Sequence, residues 1–317
     1  MMDWSDSHCR NFWRLLTANA RLYTEMITTG ALLRGDSERH LAFKPTEHPI
    51  ALQLGGSSPK DLATASQLGE QAGYDEINLN VGCPSDRVSS GEFGASLMLK
   101  PELVADCIAA MRDSISVPVT VKCRIGVDDT DSYDELCHFV SLARQSGCST
   151  FIVHARKAWL SGLSPKQNRE IPPLSYPTVH SLKQDFPELS IILNGGIKTL
   201  EQCSEHLESV DGLMIGREAY QNPMMLAGVD NTLFGDSRGP ASAMDAALAY
   251  SEYMREQLGI GARLHHMTRH VLGLFSGLPG ARSYRRHLST HANREDASID
   301  VFLQALEFVG KRSRKNG

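Results

Sequence analysis

Across the first 220 residues, short apolar runs alternate with amphipathic stretches, and no other feature constrains the fold as strongly. The apolar runs are Arg21–Met26, Ile50–Leu54, Glu76–Asn80, Pro118–Arg124, Thr150–His154, Ser190–Asn194 and Gly212–Ile215. Between them, Asp61–Ala72 follows the helix-start signal Ser57-Ser58-Pro59, and Pro101–Ile115, Ser132–Ser146, Tyr176–Phe186 and Leu200–Leu207 have the same helical character. Strands that alternate with helices are parallel, with the helices as crossovers. Several strands end in a polar or special residue: Gln53, Asn80, Lys122, His154, Asn194 and Gly216. Polar groups gathered at the C-terminal ends of parallel strands are the active-site pattern of a (β/α)8 TIM-type barrel. A doubly wound sheet is the main alternative. The sequence offers seven strands and a barrel needs eight. Met1–Asp6 reads as a strand-end loop and Asp6–Leu16 as the helix after it. The expectation is therefore a barrel lacking its first strand, with the natural start upstream of Met1.

After Pro223 the strand pattern stops. Asn231–Pro240 reads as a linker, and Ala241–Leu258, Arg263–Phe275, Ala281–Thr290 and Ile299–Val309 read as helices. The expected organisation is a barrel over residues 1–228, a linker over 229–240 and a small all-α bundle over 241–317. From Arg255 to Arg294 there are seven arginines, no lysine and one acid, Glu256, a local balance of +6 in a chain of net charge −5. The tail Lys311–Lys315 adds further positive charge. Such asymmetry suggests a polyanion partner for one end of the chain, although on charge alone a solvated basic helix face is the preferred explanation. No run of 18 or more apolar residues is present, so no membrane-spanning helix is expected. Seven scattered cysteines without a C-x-x-C pair argue for reduced thiols, a cytoplasmic location and no zinc site.

Cys83 follows the run Asp75-Glu76-Ile77-Asn78-Leu79-Asn80 and lies between Gly82 and Pro84, on a loop at a strand end. A free thiol has a pKa near ~8.5 and can serve as an acid at neutral pH. The residue type alone fits a small buried hydrophobe as well. Two strand-to-helix turns, Asn194-Gly195-Gly196 and Gly216-Arg217, come from consecutive strands, where a barrel usually keeps its phosphate site. Glycine lets an anion approach backbone N–H groups, and Arg217 would add a charge-assisted bond. Lys122 points inward if its strand alternates, and it suits either a Schiff base or the anionic edge of a reduced flavin. His154 could act as base, ligand or donor, but no partner at metal-ligand spacing accompanies it. The long loop Lys157–Arg169 mixes cations with Trp159 and reads as a contact surface for a phosphate backbone.

Taken together, these motifs resemble the tRNA-dihydrouridine synthases, most closely the A subfamily, which acts at positions 20 and 20a of the tRNA D-loop. The segments carrying the resemblance are Met1–Asp6, Tyr23–Met26, Ala51–Gly56, Asn78–Arg87, Val121–Gly126, His154–Trp159, Asn194–Ile197, Gly216–Tyr220 and Ala281–Arg286. The family pattern has a strand and a proline before the segment matching Met1-Met2, and this chain lacks both. The resemblance implies FMN held by Met1, Met2, Gln53, Lys122, His154, Asn194, Gly195, Gly196, Gly216 and Arg217, with NADPH as reductant. It implies hydride transfer to uracil C6 and Cys83 as the acid that protonates C5. It also implies tRNA contacts from Asn80, Lys166, Arg169, Arg282 and Arg285, no resident metal, and action as a monomer. Two other readings compete. One is an FMN dehydrogenase of free pyrimidines, which would have no use for a basic helical domain. The other is an RNA-binding protein without activity.

Overall fold

The computed structural model describes residues 1–84, 93–237, 239–240 and 242–313, with side chains as far as Gly310. The Ser85-Asp86-Arg87 end of the cysteine motif lies outside the described residues. Of the basic tail, only the helical backbone to Ser313 is described. The chain separates into two compact units: Met1–Met2, Arg21–Phe43 and His48–Gly216 form the first, and Asp3–Ala20, Lys44–Glu47 and Arg217–Gly317 the second.

The first unit is built on seven parallel strands: β1 (Leu22–Thr28), β2 (Ile50–Gly55), β3 (Glu76–Asn80), β4 (Val119–Arg124), β5 (Thr150–His154), β6 (Ser190–Asn194) and β7 (Gly212–Met214). They pair in sequence order from β1 to β7. A doubly wound sheet reverses its strand order partway, so this order excludes it. The arrangement is that of a TIM-like barrel, with β1 and β7 as the edges of the sheet.

Strands β2 and β3 are buried on both faces, whereas β1, β6 and β7 are only partly buried. One face is apolar: Leu52, Leu54, Ile77, Leu79, Val121, Phe151, Val153, Ile191 and Leu193 are fully buried. Helix Pro59–Gln71 covers part of this face. Its Ser58 N-cap accepts from the Asp61 N–H, Pro59 opens the first turn, and Leu62, Ala65 and Gly69 form its buried side. Helices Pro101–Ser114, Tyr133–Gln145, Tyr176–Asp185 and Leu200–Leu207 lie close to the positions that periodicity predicts. The opposite face of β2–β4 is polar, and this is where the candidate site develops.

No strand follows Met214 among the described residues. The second unit includes helices Ala243–Gly259, Ala281–His291 and Ile299–Ser313. It also takes in the N-terminal helix Ser7–Leu16, although chain order alone groups residues 1–228 together. Cys9, Phe12, Trp13 and Leu16 line one side of that helix at i, i+3, i+4 and i+7. Phe12 packs on Tyr250, and the Tyr250 hydroxyl donates to the His8 carbonyl at 2.8 Å.

Two expectations fail locally. The linker expected over Asn231–Pro240 begins as helix, Val229–Phe234, because the wholly buried Asp230 accepts from Thr17 and from the Ala18 and Asn19 N–H groups. The helix expected over Arg263–Phe275 ends at Thr268. Beyond it, Gly273 lies so close to the Gln221 carbonyl that a Cβ would come within 2.2 Å of the oxygen.

Candidate active site

In β3, Glu76, Asn78 and Asn80 share one side of the strand, as period-2 geometry dictates. Thr120, Lys122 and Arg124 do the same in β4. Glu76, Asn78, Asn80 and Thr120 are buried, and each is satisfied by the next in a ladder that climbs the sheet. At its foot, Glu76 accepts from Arg21, from the Tyr23 hydroxyl at 2.8 Å and from Thr120 at 2.6 Å. Asn78 donates to Thr120 at 2.8 Å, and Gln53 donates to Asn78 at 2.9 Å. Asn80 then donates to Gln53 at 2.8 Å. The Asn80 carbonyl oxygen closes the ladder by accepting the N–H groups of both Gly82 and Cys83 at 3.0 Å. The backbone carrying Cys83 is therefore fixed through a chain of buried hydrogen bonds that begins at Glu76.

Lys122 is half-buried above this ladder, and burial, reinforced by Arg124, pushes its pKa down to about 8. Arg124 is 3% exposed, and burial lowers its pKa to about 10. The Cys83 sulfur is near enough to act electrostatically on both cations. Among the described residues no carboxylate pairs with either. Two adjoining cations without a counter-charge form a site suited to an anion.

The next strand ends supply the rest of the site. His154 is 8% exposed at the end of β5. Its ring lies against Gly195, where a Cβ would come within 2.5 Å of the imidazole Cδ2. Gly195 and Gly196 have φ of +113° and +77°, and at Gly196 a Cβ would come within 2.6 Å of the Tyr176 hydroxyl oxygen. This turn has no room for side chains and its backbone favours glycine. Tyr176 holds the turn by donating to the Gly195 carbonyl at 2.9 Å, and Asn194 donates to the Met214 carbonyl at 2.7 Å. The Met1 sulfur lies beside Gly216, 3.3 Å from where a Cβ would stand, and Met2 is exposed. Cations with no carboxylate partner among the described residues suit a phosphate-bearing group such as that of FMN. Among the described residues no group of three or more His, Cys, Asp or Glu is placed to hold a metal ion.

The remaining predicted residues are distributed as follows. Lys166 and Arg169 are exposed on either side of the fully buried Asn168. Asn80 differs from them, because its amide is engaged at both ends within the ladder. In the second unit, Arg217 opens the short helix Arg217–Gln221. Arg282 and Arg285 are exposed on helix Ala281–His291, whose Ala281, Tyr284 and Leu288 are buried. Sequence reasoning assigned no role to Asn78, Thr120, Arg124, Asn168 or Tyr176. The alternation Glu76-x-Asn78-x-Asn80 was a legible signal for the ladder, because three polar side chains on one face of a buried strand need partners.

Comparison with known proteins agrees with this arrangement. The dihydrouridine synthase (Dus) family model matches residues 1–309. A tRNA-dihydrouridine(20/20a) synthase of Vibrio vulnificus is 57% identical over 307 residues, covering 96% of this chain and 94% of the relative. Proteins of the same name from Escherichia coli K12 and Salmonella typhimurium are each 56% identical over 313 residues, covering 98% of this chain and 90% and 94% of the relatives. A match that spans both compact units sets aside the reading as a dehydrogenase of free pyrimidines, and the chain belongs to the dihydrouridine synthase family.

Proposed function

We propose that the protein reduces the C5=C6 bond of uridines 20 and 20a in the tRNA D-loop to dihydrouridine, using FMN and NADPH. In this reading the seven strands are those of a (β/α)8 barrel. Residues 1–228 hold the flavin, and the basic helical bundle of residues 241–317 binds tRNA. Met1, Met2, Gln53, Lys122, His154, Asn194, Gly195 and Gly196 hold FMN, together with Gly216 and the next residue in the chain, Arg217. Asn80, Lys166, Arg169, Arg282 and Arg285 serve the tRNA, with Asn80 acting from inside the ladder. The enzyme works as a monomer in the cytoplasm. No described helix is long and apolar enough to cross a membrane.

The observation that carries the proposal is the setting of Cys83, pinned by Asn80 and facing two cations that have no carboxylate partner among the described residues. When bound, FMN recharged by NADPH supplies the hydride that adds to uracil C6. The chain's own part is the proton. As negative charge builds towards C5 and O4, Cys83 gives its proton to C5. A thiol suits this step better than its alternatives, because a serine hydroxyl is too weak an acid and an aspartate has already lost its proton at neutral pH. Lys122 then stabilises the negative charge left on sulfur. The target base must leave its stack, which costs little in a loop, and contacts along the rest of the tRNA offset that cost.

The test is reduction of unmodified tRNA with NADPH by the wild type and by Cys83→Ala. Loss of the general acid is expected to lower turnover by roughly 10²- to 10⁴-fold with FMN retained. Unchanged turnover removes Cys83 from the mechanism. A colourless protein that cannot be reconstituted with FMN removes the flavoenzyme reading.

A further inference from the structure

Arg124 makes a set of contacts that the chemistry above leaves unexplained. Its guanidinium is buried at the end of β4 and spends its hydrogen bonds on three main-chain carbonyls. Nε donates to Gly82 at 3.0 Å, and Nη1 donates to Lys157 at 3.1 Å and to Asn168 at 3.0 Å. Gly82 immediately precedes Cys83. Lys157 and Asn168 stand near the two ends of the loop that exposes Lys166 and Arg169. That loop has its own ties. Asn168 accepts from the Trp159 N–H at 2.8 Å and donates to the Trp159 and Leu163 carbonyls at 2.8 and 3.2 Å. Lys157 reaches Asp131 at 2.6 Å and the Asp128 carbonyl at 3.1 Å.

A charged group buried against neutral acceptors is an expensive way to brace a loop. Guanidinium can nevertheless do what lysine cannot. Its planar fork spans several acceptors in a fixed geometry, whereas an ammonium is a point charge on a flexible stem. We infer that Arg124 is a positioning residue that fixes the Cys83 loop and the Lys157–Arg169 loop relative to each other, so that an RNA strand gripped by the second presents its uracil to the thiol on the first. The inference rests on the function proposed above. It separates Arg124 from Lys122: both are cations beside Cys83, but Arg124 acts through the backbone.

The test uses the flavin-loaded enzyme and unmodified tRNA, with Arg124→Lys and Asn168→Ala compared with the wild type. Misplacement of reacting groups by about 1 Å costs on the order of 10²-fold, so Arg124→Lys should lose roughly that factor in kcat and also raise the KM for tRNA. Its flavin absorbance should stay near that of the wild type, since charge beside the site is kept. Asn168→Ala loosens the RNA-contact loop alone, so it should raise KM and leave kcat within about threefold. Alkylation of Cys83 by iodoacetamide, followed by peptide mapping, gives a readout independent of turnover. A released loop should change its rate in Arg124→Lys and leave it unchanged in Asn168→Ala. Wild-type kcat and KM in Arg124→Lys would overturn the inference, as would an unchanged KM in Asn168→Ala if Arg124→Lys does not fold. A wild-type protein that makes no dihydrouridine would defeat the proposed function, and the alkylation comparison would then decide the role of Arg124 alone.

Discussion

In the helical unit, Glu47 is completely buried and accepts from Arg10 at 2.5 Å, Ser7 at 2.6 Å and Asn11 at 2.9 Å. In the sheet unit, Lys122 has no carboxylate partner among the described residues, whereas its neighbour Arg124 is held by three main-chain carbonyls. The buried Asp230 and the half-buried Asp6 of the helical unit follow the pattern of Glu47. Asp230 is enclosed by Thr17 and two backbone N–H groups. Burial tends to raise the pKa of Asp6, but His270, the Cys9 N–H and Arg269 together hold it well below the usual carboxylate range. The sheet unit treats Glu76 in the same manner at the foot of its ladder, while Lys122 at a strand end has no carboxylate partner among the described residues. A charge enclosed by its own partners ties segments of chain together. A charge left without one has its partner still to come, and that is how a ligand site differs from a structural brace.

Removing one buried charge from each unit should therefore have opposite effects. Glu47→Gln leaves Arg10 buried and unpaired, and breaking such a pair costs about 3–5 kcal/mol. Urea denaturation should show a fall of that size. A loss below about 1 kcal/mol would mean that Glu47 is no more a tie than an exposed ion pair.

Lys122→Met should do the reverse in the flavin-free protein. The folded Lys122 titrates at about 8 against an ordinary 10.5. Below pH 8 both folded and unfolded forms carry the proton and the full penalty is present. Between about 8 and 10.5 the unfolded chain binds the proton and the folded one has lost it, so stability rises with pH across that window. At pH 7, removing the ammonium should stabilise the flavin-free protein by about 3 kcal/mol while weakening FMN binding. In the wild type, FMN affinity should fall by up to about tenfold per pH unit above 8 as Lys122 deprotonates. Denaturation at pH 7 and 10 and flavin fluorescence titrations would check both. A flat stability profile would show that Lys122 carries no unmet charge.

Chain pattern exposed much of this architecture. The extents of β3, β5, β6 and helix Leu200–Leu207 could be read residue for residue, because alternation and turn residues are local signals. The failures come from contacts distant in sequence. Membership of the N-terminal helix in the C-terminal unit depends on Phe12 meeting Tyr250, and the end of the helix at Thr268 is followed by close approach of Gly273 to Gln221. The candidate site divides the same way. Residue types at strand ends pointed to Cys83, Lys122 and His154. Arg124 could be seen as a strand-end cation, but its acceptors are backbone carbonyls and leave no trace in side-chain pattern. Asn80 is readable as a strand-end amide, but its partners Gln53, Gly82 and Cys83 are not.

Tyr176 offers the finest test, because in the proposed reading it supports the same cofactor site as Lys122 without carrying charge. Its hydroxyl donates to the Gly195 carbonyl at 2.9 Å and crowds the space a side chain at Gly196 would need. Burial raises its pKa above the ordinary 10, so it remains a neutral donor throughout the range in which Lys122 titrates. Tyr176→Phe removes one neutral hydrogen bond, worth about 1 kcal/mol, and should weaken FMN binding by roughly fivefold. That factor should be the same at pH 7 and pH 9, even as the wild-type affinity itself declines through Lys122. Parallel FMN titrations of the two proteins would separate the contributions. If the gap between them closed as pH rose, Tyr176 would be acting through Lys122, and the glycine turn and the cation would have to be treated as one coupled group.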